Sequence, residues 1–205
     1  MVTIAKNARL RIEKTEKLFS LAEYLRLEEH STDKHEYHNG KIIKMGNTKF
    51  YHNLVATNTI RAIGKKTDLL PKRFLVVGDG QKIYIEPEKK VVYPDGLAIF
   101  EQPQFHGKSQ VLVINPLVVI EVLSPRTEKY DESGKFDSYC LLPSFKEYIL
   151  IDPRKFSIKI RYKNEDGAWI THKQTEATGS IDLRSLGVTV ALADIYAHVV
   201  FPKKK

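Results

Sequence analysis

The chain has 205 residues, 42% of them hydrophobic and 28% charged, and 33 Lys and Arg against 25 Asp and Glu give a net charge of +8. This composition belongs to a water-soluble globular protein, long enough for one domain with its own core and short for two. It excludes a membrane-spanning helix, since no run of about 18 apolar residues occurs, and the charged stretch MVTIAKNARLRIEKTEK lacks the apolar segment of a secretory signal.

Cys140 is the single cysteine, so no disulfide forms within the chain. That suits a reducing cytosol, and a cytoplasmic protein is expected. The terminal KKK supplies three positive charges, and 8 − 3 leaves +5 on the remainder. A basic balance suits a polyanionic partner such as nucleic acid, and it equally suits plain solubility. One domain is expected over 1–205, with its core at about 18–200 and flexible ends over 1–16 and 202–205.

In chain order, residues 17–29 place Leu18, Leu21, Tyr24 and Leu25 on one face of an amphipathic helix. HEYHNGKIIKM then reads as two short strands about a turn at Asn39-Gly40. Residues 50–64 predict a second helix, with Leu54, Ile60 and Ile63 turned inward and Gly64 as its C-cap. From 74 onward the pattern becomes short and β-branched: FLVVGDG, KIYIEP, GLAIF, PLVVIEVL, EYILID and FSIKIRYK read as strands. Asp79-Gly80 reads as a plain turn and 102–110 as an exposed loop. VVIEVL is nearly all apolar, which suits a central strand covered on both faces. A helix is predicted over 127–142, weakened by Gly134 inside it. Residues 168–183 predict a further hairpin, and ALADIYAHVV is compatible with either helix or strand. Helices around a mixed β-sheet imply an α/β or α+β fold.

Two acids interrupt the apolar strands. Asp95 follows Pro94 at the mouth of one strand, and Glu121 lies near the end of 117–123. A lone buried carboxylate costs several kcal/mol, so each must be paired, protonated or bound to a cation. If the strands are neighbours, the carboxylates converge and trap a hard divalent ion such as Mg²⁺, with Mn²⁺ as a substitute. Such an ion beside a phosphodiester polarises the phosphoryl oxygen and acidifies a bound water. Alternatively, Asp95 is a turn former in Pro-Asp-Gly. On the following helix, Asp131, Lys135 and Tyr139 share one face at i, i+4 and i+8, and Lys135 can lean back toward the acids. The bland alternative is an exposed Asp131–Lys135 pair.

The stretches YPDGLAIF, PLVVIEVLSPRT and YDESGKFDSYCLLPSFKEYILIDP resemble the Uma-two family of the PD-(D/E)XK, restriction-endonuclease-like superfamily. The matching residues are Pro94-Asp95, Glu121 to Pro125, Asp131, Lys135, Tyr139, Glu147-Tyr148 and Asp152-Pro153, with Glu36, Gly40 and His52 upstream, over about 20–155. The resemblance implies a restriction-endonuclease-like fold, a central mixed β-sheet flanked by helices. It implies Mg²⁺-dependent hydrolysis of DNA, or of another nucleic acid, by a homodimer. It assigns Asp95, Glu121 and the Val122 carbonyl to the metal and Lys135 to catalysis. Glu36, His52, Asp131 and Tyr139 are accessory. The sequence departs from the pattern at Leu123, where the superfamily's lysine usually stands and for which Lys135 substitutes, and at Ile149 and His35. Glu36 is alternatively an exposed hairpin acid, His52 a helix cap, Tyr139 a core residue, and Tyr148 a core or dimer-surface residue. A catalytically silent nucleic-acid-binding module is the alternative function. A glycosidase-like acid pair lacks an aromatic sugar platform around either acid.

Overall fold

A computed structural model describes residues 17–202. The tails at 1–16 and 203–205, where flexible ends are expected, lie outside the described residues. Among those described, no helix is long and apolar enough to cross a membrane.

The first helix, α1 (Leu21–His30), starts later than the periodicity suggests, because Ser20 and Glu23 form a reciprocal capping box. Leu18 therefore precedes the helix and is 61% exposed. Tyr24 is the residue α1 buries. The hairpin of β1 (His35–His38) and β2 (Lys41–Lys44) turns at Asn39 and Gly40, with φ of 46° and 94°. Two successive positive φ values match the twist of a tight hairpin, which is why Asn-Gly stands there.

Helix α2 (Phe50–Thr67) continues past Gly64 to a cap at Asp68. Gly64 is an interior helical residue and not the cap. The buried face carries His52, Val55, Ala56, Thr59 and Ile63. Leu54 and Ile60 are half-buried.

The central sheet runs β11 (Trp169–Gln174), β10 (Ile158–Lys163), β9 (Glu147–Ile151), β8 (Val118–Val122), β6 (Gly96–Phe100), β3 (Phe74–Gly78). Only the β8–β9 pair is parallel, so the sheet is mixed. Every residue of β8 and β9 is buried, as expected of near-continuous apolar strands. One face packs on α2 and on the separate ladder of β12 (Ser180–Leu183) and β13 (Val188–Ala191). The opposite face holds Val119, Tyr139, Phe145 and Tyr148 in a second core. A five-stranded sheet, β2-β1-β5-β4-β7, adds β4 (Lys82–Ile85), β5 (Lys90–Val92) and β7 (Leu112–Val113). Asp79-Gly80 carries the chain from one large sheet to the other. The fold is thus α+β, mixed sheets flanked by helices.

Two expected elements differ. Residues 168–183 are not a hairpin: β11 pairs with β10 and β12 with β13. The helix over 127–142 is three short pieces: α3 (Glu128–Tyr130), a π-helical turn (Asp131–Lys135) and α4 (Phe136–Tyr139). ALADIYAHVV is strand and helix in succession, β13 ending at Ala191 and running into α5 (Leu192–Ile195).

Candidate active site

β6 and β8 are antiparallel neighbours, with Gly96 opposite Ile120. Asp95 lies in the bend immediately before β6, and Glu121 follows Ile120, so both acids stand at the same end of this pair. Glu121 shares its face with Val119. The backbone N–H of Val122 donates to Asp95 Oδ2 at 2.7 Å. Within a strand, a residue's carbonyl leaves on the same side as its N–H, so the Val122 carbonyl also faces Asp95. Asp95 Oδ1 is 2.9 Å from His52 Nε2. His52 therefore neither caps α2, whose N-cap is Lys49, nor points away from the acids. Its place follows from α2 lying close against β6: a Cβ on Gly96 would come within 3.1 Å of Ile60 Cγ1.

Glu121 is buried and accepts two hydrogen bonds at Oε1, from Lys135 Nζ at 3.0 Å and from the Tyr139 hydroxyl at 2.9 Å. The π-helical turn presents Lys135 inward. Its ammonium also lies 3.7 Å from Glu36 Oε1 and 3.7 Å from Asp131 Oδ1, and it reaches the Tyr93 carbonyl at 3.5 Å. The Asp131–Lys135 contact is a buried member of this cluster, not a surface pair. Glu36 is likewise buried rather than exposed, and His38 Nε2 sits 2.9 Å from its Oε2. Tyr148, fully buried, donates to the Asp131 carbonyl at 2.9 Å and so braces the π-helical turn from below. It is a core residue.

The electrostatics follow from three carboxylates around one ammonium, with Asp95 beyond them. Burial pushes the Glu121 carboxyl well above its usual range; Lys135 opposes this, while Asp131 and Asp95 add to it. Burial also raises Asp131. Burial would lower Lys135, but Glu121, Glu36 and Asp131 together hold it firmly protonated. At Glu36 burial is outweighed by His38 and Lys135, and the carboxyl stays low. The carboxylates of the cluster outnumber its one ammonium, and the hard oxygen donors of Asp95 and Glu121 fit a divalent cation held by one or two carboxylates and water. Among the described residues, no group of three or more His, Cys, Asp and Glu forms a protein-only metal cage.

All seven side chains singled out from the sequence (Glu36, His52, Asp95, Glu121, Asp131, Lys135, Tyr139) come together here. Two contributors were missed. His38 stands in HEYHNG but gave no signal apart from its neighbour. The Tyr93 carbonyl is fixed by tertiary packing, which spacing does not reveal.

A model of the Uma2 family, described as "Putative restriction endonuclease", matches residues 21–193. The match continues past the motif-bearing stretch of 20–155 and takes in β10 to β13. Two Synechocystis sp. proteins, sll1609 and slr1290, both described as uncharacterized, are similar to the chain. The first is 31% identical over 76% of this chain and 87% of its own length, the second 32% over 87% and 92%. A crystal structure from Anabaena variabilis, described as "a putative nuclease belonging to DUF820", shares the fold. Its TM-score is 0.69 at 18% identity, over 89% of this chain and 99% of the other.

Proposed function

The chain belongs to the Uma2 family, and from that premise we propose that it is a Mg²⁺-dependent endonuclease hydrolysing DNA phosphodiester bonds at the Asp95–Glu121 edge. The observation that carries this reading is Asp95 held by the backbone N–H of Val122, the residue next to Glu121, with a buried lysine bonded to Glu121 itself. In this reading Asp95, Glu121 and the Val122 carbonyl hold the ion, for which Mn²⁺ substitutes. When bound, the ion polarises a phosphoryl oxygen and acidifies a water.

The chain's own groups do the rest. His52 and the Val122 N–H fix both oxygens of Asp95, so the carboxylate does not rotate away. Lys135 and Tyr139 hold Glu121 Oε1 and leave Oε2 without a hydrogen bond from either. Lys135 is the fixed positive charge nearest the acids, and it offsets negative charge that builds on the phosphoryl group. Glu36 and Asp131 keep that ammonium centred. A two-fold assembly on a symmetric DNA substrate, in the cytoplasm, completes the proposal.

Plasmid cleavage in Mn²⁺ tests it, with calorimetry of Mn²⁺ binding alongside. Glu121→Gln and Asp95→Asn are expected to lose cleavage by about 100-fold or more, and to bind the ion more weakly. Wild type that leaves DNA intact, or variants that bind Mn²⁺ as well as wild type, would overturn the assignment. One observation favours the silent-module reading: Leu123 stands where the superfamily's lysine usually lies, on a chain of net charge +8. That reading expects salt-sensitive DNA binding without cleavage, indifferent to Glu121→Gln.

A further inference from the structure

The two groups that fix Asp95 each lead out to the surface. His52, 2.9 Å from Asp95 Oδ1, lies in the first turn of α2, and Phe50 and Tyr51 stand directly before it. Two residues of chain span at most about 8 Å, so both aromatics open from the rim of the candidate site. On the other side, the Val122 N–H donates to Asp95 Oδ2, and the chain leaves β8 there and soon reaches Arg126.

These two exits meet. A Cβ on Gly46 would lie 3.2 Å from Arg126 Nη1, so the guanidinium rests against the loop that runs into α2. Arg126 and Lys49, the N-cap of α2, are exposed. Among the described residues, neither side chain has a hydrogen bond or an ion pair. Residues 45–51 contain no acid. The surface beside the acids is thus positively charged, and its cations are free of the protein's own carboxylates.

Phe50 is 73% exposed, more than any other aromatic side chain of the described residues, and Tyr51 is 37% exposed. Their rings meet edge to face, with centroids 5.4 Å apart and planes at 77°. At that exposure the Phe50 ring keeps a face open to solvent. A single exposed apolar residue needs no explanation. An aromatic pair between two free cations, at the mouth of an acid cluster, has the make-up of a surface for a nucleic-acid strand: cations for the phosphates and ring faces for the bases.

We propose that Lys49, Phe50, Tyr51 and Arg126 receive the strand beside the phosphate at the Asp95–Glu121 edge, with the two cations on backbone phosphates and the Phe50 ring stacked on an unpaired base. The inference rests on the nuclease reading of that edge, and it names the form of substrate: a strand that is single, or locally unstacked, where it is cut. A base inside an intact duplex has no free face to offer.

The full chain is tested in Ca²⁺ by fluorescence anisotropy with three probes: a short single-stranded oligonucleotide, the matching duplex and an abasic chain of the same length. Phe50→Ala is expected to bind the single strand about 5- to 100-fold more weakly, with an unchanged salt dependence, and Phe50→Trp to bind it as wild type does. On the duplex and the abasic chain, Phe50→Ala is expected to lose less than about two-fold, since neither presents a free base. Arg126→Gln is expected to weaken all three probes alike and to lower the slope of log K against log salt by about one. Equal binding of the single strand by Phe50→Ala and wild type overturns the proposal, as does a loss equally large on the abasic chain or the duplex. An altered oligomeric state of Phe50→Ala in sedimentation also overturns it, by showing that the ring faces a second copy. Single-turnover cleavage in Mn²⁺ separates the two readings. A wild type that binds the strand without cutting it ends the nuclease reading and leaves the binding comparison to decide this one. A wild type that cuts, with a Phe50→Ala variant that binds and cuts equally well, ends this one alone.

Discussion

At Lys135, one ammonium is shared by three buried carboxylates, and the arrangement is far easier to break than to replace. Lys135→Ala leaves Glu121, Glu36 and Asp131 without their cation. A loss of about 3–5 kcal/mol is expected, read as a lower urea midpoint. Adding Glu121→Gln removes one of the stranded charges, so the double variant should recover part of that loss. A single variant within about 1 kcal/mol of wild type would show that the cluster is more hydrated than its burial implies. The two acids were legible because a carboxylate in VVIEVL or after VVYP has no packing reason to be there. Lys135 was not legible from spacing, since an i, i+4 acid–base pair looks the same on a surface helix as in a core. It came from the family resemblance. Burial of Glu36 was invisible, because the segment covering it lies about a hundred residues further along the chain. His52 opens its helix, which suggests a cap, but tertiary register turns it onto Asp95 instead.

Among the elements, α2 gives the clearest contrast between local and global cues. Glycine near a helix end usually marks a left-handed cap, but Gly64 has helix beyond it as far as Thr67 and no positive φ. A Cβ added there meets nothing within 4 Å. Gly64→Ala should therefore stabilise the protein by about 0.5–1 kcal/mol in urea unfolding, through helix propensity and a less flexible unfolded chain. A cap would respond with the opposite sign. The strands were legible because β-branched runs bounded by turn residues leave few other readings. Their partners were less so. Asp166-Gly167, with Gly167 at a φ of 83°, makes the real hairpin turn between β10 and β11. ATGS at 177–180 has a similar composition, yet joins strands of different sheets. Turn chemistry marks where a chain bends, while the core decides what it bends toward.

For the molecule as a whole, Glu147 ties two sheets together. It stands at the start of β9 and accepts the backbone N–H groups of Arg184 and Ser185 just beyond β12, at 3.1 and 3.0 Å. Burial outweighs those bonds and raises its carboxyl from 4.5 to about 7. The folded state thus takes up a proton more readily than the unfolded chain. The stability this provides is complete below about pH 4.5 and is lost as pH rises through about 7. The loss is roughly 3 kcal/mol, at about 1.4 kcal/mol per pH unit. Urea midpoints are expected to fall between pH 5 and 8 in wild type, and to fall much less in Glu147→Gln; equal slopes would remove Glu147 as the cause. The candidate centre depends on this same long-range assembly. It draws on the β1–β2 hairpin, on α2, on two central strands, on the π-helical turn and on α4, from Glu36 through Tyr139. No shorter contiguous piece holds all its members. A chain shortened before Tyr139 consequently lacks part of the set, so the centre is complete only after most of the domain has been made.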